Sequence, residues 1–132
     1  MTVVELPGFP RPSGYSNGIL AEGRVLAVAG QIGWDARCKL VAPDFVPQLS
    51  QALANVVAVV RAAGGDATSI VSLTIYVTDV EAYRTAGKPL GEAFRSVMGK
   101  HYPAMALVGV TELVERGAKV EVSALAVIEA KP

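Results

Sequence analysis

The amino-acid sequence predicts an α+β fold in which two helices cover one face of a sheet of about five strands. Residues 69–79 (SIVSLTIYVTD) alternate between apolar and polar side chains, as a half-buried strand does. Across residues 43–63, apolar side chains recur at the spacing of an amphipathic helix. Because helices and sheet must each bury an apolar side, the predicted order β-β-α-β-α-β-β assembles as helices packed on a sheet.

The first elements in the chain are two strands and a helix. The strands are predicted at residues 16–20 and 24–29, and Glu22-Gly23 between them suits a tight turn, so we expect a hairpin. The helix across residues 43–63 should stop at Gly64-Gly65, since glycine commonly ends helices.

The second half of the chain predicts a strand, an interrupted helix and two final strands. The helix occupies residues 80–99, and Gly87-Lys88-Pro89 should break or bend it. The final strands are expected within residues 105–113 and 118–130. In the last of these, both faces are largely apolar: one carries Val120, Val122, Ala124 and Ala126, and the other carries Glu121, Ser123, Leu125 and Val127. Because both helices lie on one face of the sheet, the other apolar face is left uncovered. The sequence therefore predicts a homo-oligomer that buries this face.

Size and composition limit the possible classes of protein. A chain of 132 residues is the size of one ordinary domain, so we expect a single domain over residues 1–132. Hydrophobic residues make up 52% of the chain and the mean hydropathy is +0.40, yet no apolar run has the length of a membrane span. Twelve basic and twelve acidic residues without a basic cluster argue against a nucleic-acid partner.

The cysteine count and the absence of known motifs exclude further kinds of site. Cys38 is the only cysteine, which excludes an internal disulfide and multi-cysteine metal sites and fits a reducing cytoplasm. The N-terminus lacks the basic start and apolar core of a secretory signal, so we expect a cytoplasmic protein. Phosphate loops, dinucleotide-binding glycine motifs and paired metal-binding histidines are also absent, so we expect neither a cofactor nor a metal.

Three side chains are candidates for chemistry. His101 beside Lys100 is more typical of a surface or capping residue than of a general base. Cys38 lies between two cations that favour a thiolate, but a simple loop cysteine is the better interpretation. Glu121 lies between Val120 and Val122, and a carboxylate there must be solvated, paired or used. From periodicity alone, a solvent-facing strand residue remains the leading interpretation of Glu121.

Four separated segments favour a functional interpretation of Glu121. They are GYSNG at residues 14–18, VAGQI at 28–32, TIYVTDVEAY at 74–83, and YPAMALVGV at 102–110 followed by AKVEVSALAV at 118–127. Their order and spacing resemble the RidA/YjgF family of reactive-intermediate deaminases over nearly the whole chain. The resemblance implies a chorismate-mutase-like fold, with a mixed sheet, two helices on one face, and a trimer built around a central barrel. It also implies hydrolysis of a small enamine or imine, without a cofactor, at clefts between subunits.

The resemblance also implies site residues. Tyr15 would place a phenol at the cleft wall, Gly30 would allow close approach of the backbone to the ligand, and Glu121 would orient water and act as general acid and base. Imine hydrolysis needs these proton transfers and an aimed water, which one glutamate in a dry cleft can supply.

The chain departs from the family pattern where deaminating members carry an arginine that grips the substrate carboxylate. Met105 occupies that position and cannot form an ion pair, so the usual 2-aminoacrylate substrate is in doubt and a changed substrate range is expected. Lys88 is a candidate replacement for the anion-binding charge, although a solvated surface lysine is the commoner case. Trp34 is a candidate lid over the cleft or a residue that packs a loop.

Three classes of function therefore remain open at the level of the sequence. The first is an imine or enamine hydrolase with an altered substrate, which Glu121 favours. The second is a trimer that binds a small metabolite without turnover, which Met105 favours. The third is a protein-interaction or chaperone-like trimer with a vestigial cleft.

Overall fold

A computed structural model describes residues 1–130 of the chain. In chain order its elements are β1 (Thr2–Val4), β2 (Gly18–Leu20), β3 (Arg24–Ile32), α1 (Phe45–Ala62), a 3-10 turn (Ala67–Ser69), β4 (Ile70–Val77), α2 (Val80–Thr85), α3 (Lys88–Met98), β5 (Ala104–Gly109) and β6 (Val120–Ile128). The α+β prediction is confirmed. None of these helices combines the length and apolar character needed to cross a bilayer.

The main sheet has four strands in the order β3-β6-β4-β5. Strands β4 and β5 run parallel, whereas β6 is antiparallel to both of its neighbours. The sheet is therefore mixed, as expected, with β6 in a central position and β5 at an edge. The crossover between the parallel strands carries α2 and α3.

The expected hairpin between the first two strands is wrong. Strand β2 pairs instead with β1, a strand not predicted from the sequence, in a separate two-stranded sheet. Strand β3 pairs with β6 over nearly its whole length. At Gly23, with φ +149°, an added Cβ would lie 2.3 Å from the Ile128 carbonyl oxygen, so the chain passes directly against the end of β6. Strand β3 forms a long ladder with β6, so the turn at Glu22-Gly23 connects two strands that belong to different sheets.

The hydrophobic core lies between the main sheet and the helices. Helix α1 crosses β3 and β6, and α3 packs beside α1. Leu49, Leu53, Val56 and Val60 of α1 are buried against the inner-facing residues of the sheet. The expected break in the second helix falls before Lys88 and separates α2 from α3. Pro89 then lies in the first turn of α3, where a helix tolerates the missing N–H.

A buried glutamine ties α1 to the segment that leads into β6. Gln48 is fully buried, and its Nε2 donates to the carbonyl oxygens of Ala42 at 2.9 Å and Gly117 at 3.0 Å. The backbone N–H of Lys119 donates to Gln48 Oε1 at 2.8 Å. Because the Gln48 side chain is fully buried, these three bonds hold the start of β6 in a defined position.

The face of the sheet opposite the helices, which we term the outer face, carries exposed apolar side chains. Val25 of β3 is 72% exposed, Leu125 of β6 45% and Val108 of β5 44%. The alternation predicted for the last strand is confirmed, because Val120, Val122, Ala124 and Ala126 are buried on the helix side. Glu121 and Ser123 share the outer face with Leu125.

Candidate functional site

Glu121 lies near the start of β6 and its carboxylate lies over Gly30. A Cβ added to Gly30 would be 2.8 Å from both Glu121 Cδ and Oε2, so only glycine leaves room for the carboxyl group in this position. Gly30 falls within the irregular stretch of the β3–β6 ladder, between Val28 and Gln31. Such an irregularity redirects a strand locally, and here it opens a place for a side chain from the neighbouring strand.

The environment of Glu121 is formed by its neighbours on β3 and β4. Glu121 is half-buried, and neither of the two ion pairs formed within residues 1–130 includes it. Its register partner on β4 is Tyr76, so the phenol ring shares the outer face with the carboxylate. The alternation of residues 69–79 placed Tyr76 on the polar face, but only the strand register brings Tyr76 beside Glu121.

Met105 lies on the other face of the sheet. Its register partner on β4 is the buried Leu73, so the thioether points toward the helices, whereas Glu121 pairs with the outward-facing Tyr76. Met105 lines a cavity of about 410 Å³ between α3, β5 and residues 13–15, which we term the Met105 cavity. Its walls include Tyr15, Leu90, Phe94, Arg95, Tyr102 and Leu107.

Tyr15 is held at the mouth of the Met105 cavity by its neighbour. The Ser16 N–H donates to the Pro103 carbonyl oxygen at 3.1 Å, and the Ser16 hydroxyl donates to the Tyr102 carbonyl oxygen. These bonds form a short bridge along the edge of β5. Tyr15 also lines a second cavity of about 530 Å³ beneath the N-terminal segment. The structure therefore brings Tyr15 and Met105 together.

Within one chain, neither Lys88 nor Trp34 contributes to the lining of the Met105 cavity. Lys88 is the exposed first residue of α3 and does not line the Met105 cavity. Trp34 follows β3, and Asn55 Nδ2 donates hydrogen bonds to the carbonyl oxygens of Ile32, the last residue of β3, and of Trp34, at 3.1 and 2.9 Å. The Trp34 side chain is half-buried, and it too lies outside the Met105 cavity.

His101 and Cys38 were the other two candidates for chemistry. His101 Nε2 lies 2.6 Å from the Ile70 carbonyl oxygen, so the ring N–H donates a hydrogen bond to the backbone at the start of β4. Cys38 is exposed in a turn, with φ 59°, where the Asp35 carboxylate accepts from the N–H groups of Arg37 and Lys39. Within residues 1–130, no cluster of three or more metal-ligating side chains is present.

Comparisons with known proteins agree with the fold and the motifs. The family model described as Endoribonuclease L-PSP matches residues 10–128. A RutC family protein of Aquifex aeolicus is 34% identical over 128 residues, covering 96% of this chain and 99% of its own. The human 2-iminobutanoate/2-iminopropanoate deaminase is 30% identical over 128 residues, covering 96% of this chain and 88% of its own.

A solved structure supports the same assignment. The Rid-family protein YyfB of Yersinia pestis superposes with a TM-score of 0.80 at 28% identity, covering 95% of this chain and 97% of its own. The match includes the mixed sheet and the helices that form the chorismate-mutase-like fold. The chain therefore belongs to the RidA/YjgF family.

Proposed function

We propose that this protein is a cofactor-independent hydrolase that deaminates a small enamine or imine at clefts between subunits. The observation that carries the proposal is the carboxylate of Glu121, held over Gly30 on an uncovered sheet face without an ion-pair partner in residues 1–130. Its relatives named as imine deaminases support the same reaction class.

The proposed chemistry consumes water and releases ammonia. The Glu121 carboxylate takes a proton from a water molecule as the water oxygen bonds to the C=N carbon, and it passes that proton to the nitrogen as the C=N double bond becomes single. The carbinolamine then collapses to the carbonyl compound as the C–N bond breaks, and Glu121 moves the remaining proton between oxygen and nitrogen. In this scheme Tyr15 donates a hydrogen bond at the cleft wall, and Gly30 leaves room for the carboxyl group of Glu121.

A complete site needs a second copy of the chain. Glu121 and Met105 point to opposite faces of one sheet, with β4 between their strands, so they cannot contact one small substrate within a subunit. A neighbouring copy that covers the outer face would bring its own Tyr15 and Met105 to this Glu121. Lys88 and Trp34, which lie outside the Met105 cavity, remain candidates for the rim of that intersubunit cleft.

We expect the protein to sediment as a trimer at micromolar concentration. Val25, Leu125 and Val108 expose apolar side chains on the outer face, which the helices do not cover, and burying them between copies contributes favourable free energy. Analytical ultracentrifugation would measure the mass. A stable monomer would contradict the trimer and the intersubunit site together, whereas Leu125→Glu should dissociate a true trimer.

Met105 is proposed to determine which substrates are accepted. Met105→Arg should raise kcat/KM for 2-iminopropanoate by roughly tenfold to a hundredfold, because a guanidinium binds a carboxylate through two charge-assisted hydrogen bonds. Met105→Lys is the matched control, since it adds the charge without the fork and should gain less. An unchanged rate in a correctly assembled Met105→Arg protein would show that residue 105 does not limit this substrate.

The proposed function is tested by supplying imines directly. An amino-acid oxidase generates a series of 2-imino acids, and release of ammonia is followed with and without the protein. Acceleration of any of them supports the hydrolase. Binding of the corresponding 2-oxo acids without acceleration of any imine would instead favour the small-metabolite binder, which the Met105 cavity also suits.

A further inference from the structure

Arg95 places a guanidinium group in the wall of the Met105 cavity. It lies in the last turn of α3, and Gly91 lies one turn earlier on the same face of the helix. A Cβ added to Gly91 would be 3.0 Å from Arg95 Nη1 and 3.6 Å from Cζ and Nη2. The side chain therefore folds back over Gly91, in the direction that helical side chains favour, and reaches the cavity.

This guanidinium has no carboxylate partner among residues 1–130. The two ion pairs found there join the N-terminus to Glu129 and Arg84 to Glu81. Arg95 is also the sole charged side chain in the described lining of the Met105 cavity, and no acidic residue contributes to that lining. Arg95 is exposed to solvent, so its charge is accessible to an anion at the open side of the cavity.

Most of the other side chains that line the cavity are aromatic or aliphatic. The rings of Phe94 and Tyr102 are stacked, with centroids 5.7 Å apart and planes 5° from parallel. Met105, Leu90 and Leu107 contribute apolar surface, and the thioether adapts its shape to the neighbouring group. A volume of about 410 Å³ is in the range of small-molecule sites and leaves room for more than a short alkyl chain.

We propose that Arg95 is the anion-binding residue of this site and that its substrate class is a carboxylate with an aromatic or branched apolar body. The inference rests on the proposed function and specifies its substrate. The carboxylate would pair with the Arg95 guanidinium while the apolar body packs against Met105 and the aromatic wall. Arg95, and not Lys88, thereby supplies the charge that is absent at position 105.

The test measures binding, so that it does not depend on turnover. Phenylacetate is the anionic probe and 2-phenylethanol its neutral counterpart, and titration calorimetry gives the Kd of each for the assembled protein. Arg95→Gln should weaken phenylacetate binding about tenfold or more and leave the binding of 2-phenylethanol unchanged. Arg84→Gln, which removes an exposed cation outside the cavity, is the matched control and should change neither Kd.

Three results would contradict the assignment of Arg95 as the anion-binding residue. Equal phenylacetate affinity in the parent and in Arg95→Gln, or undetectable binding in both, would overturn the inference, and so would a loss found in Lys88→Gln instead. The proposed function is tested separately. Imine turnover that depends on Glu121, together with phenylacetate binding independent of Arg95, would overturn only the inference about Arg95. Phenylacetate binding that requires Arg95, in a protein that turns over no imine, would overturn only the hydrolase.

Discussion

Glu121→Gln should lower the rate of imine hydrolysis by roughly a hundredfold to ten-thousandfold, the usual contribution of a general acid and base. Glutamine keeps the shape of the side chain over Gly30 but can neither accept the proton of the attacking water nor return it to the leaving nitrogen. Steady-state ammonia release from the best imino acid measures the effect.

The matched control for Glu121→Gln is Glu112→Gln, which neutralises an exposed glutamate in the segment between β5 and β6. That variant should retain full activity. The Glu121→Gln protein should remain folded and assembled, since the carboxylate forms no ion pair within residues 1–130 whose loss would destabilise the chain. A Glu121→Gln rate within about threefold of the parent would reduce Glu121 to a strand residue without a catalytic role.

Gly30→Ala should lower kcat by up to about a hundredfold while leaving the protein folded. The new methyl group would lie 2.8 Å from Glu121 Cδ and Oε2, so the carboxyl group must move away. Because the obstructed atoms are the end of a flexible side chain, the cost in stability is small, but a displacement near 1 Å can reduce a rate a hundredfold. Turnover and thermal unfolding, measured on the same preparation, separate the two effects.

Two comparisons make the Gly30 result specific. Gly18→Ala is the control, because its added Cβ would meet only Val4 Cβ at an ordinary 3.6 Å. The double variant Gly30→Ala/Glu121→Gln should be no slower than Glu121→Gln alone, because residue 30 acts through the carboxylate. Additive losses would mean that Gly30 has an independent role, and full activity of Gly30→Ala would mean that the position of Glu121 over Gly30 is not required.

Prediction from the sequence succeeded where structure depends on near neighbours. The alternation in β4 and β6 and the apolar spacing in α1 arise from side-chain directions a few residues apart, so they can be read without knowing any partner. The break before Lys88 is also local, because Pro89 is tolerated only at the start of a helix. The pairing of β2 with β1 was missed because β1 is three exposed residues long and has no apolar alternation.

Residues of the candidate site could be identified from the sequence only where a local pattern or a family motif marked them. The alternation of the last strand alone left Glu121 as an ordinary solvent-facing residue, and the family motifs indicated a functional role for Glu121 as well as for Tyr15 and Gly30. The contact of Glu121 with Gly30 depends on the β3–β6 register, which joins segments about ninety residues apart. Arg95 escaped notice because an arginine in the last turn of a helix is ordinary. The signal that could have found it is the Gly91-Arg95 spacing of four residues.

The sequence by itself determined the fold class, the alternation of β6 that separates Glu121 from the core, and the resemblance to the RidA/YjgF family. Only the tertiary structure decided that β3 pairs with β6, that the Glu121 carboxylate lies over Gly30, and that Met105 and Glu121 point to opposite faces of the sheet. The physical reason is that side-chain periodicity is a local property of the backbone. Strand partners, register and close approach depend instead on which distant segments bury the most apolar surface together.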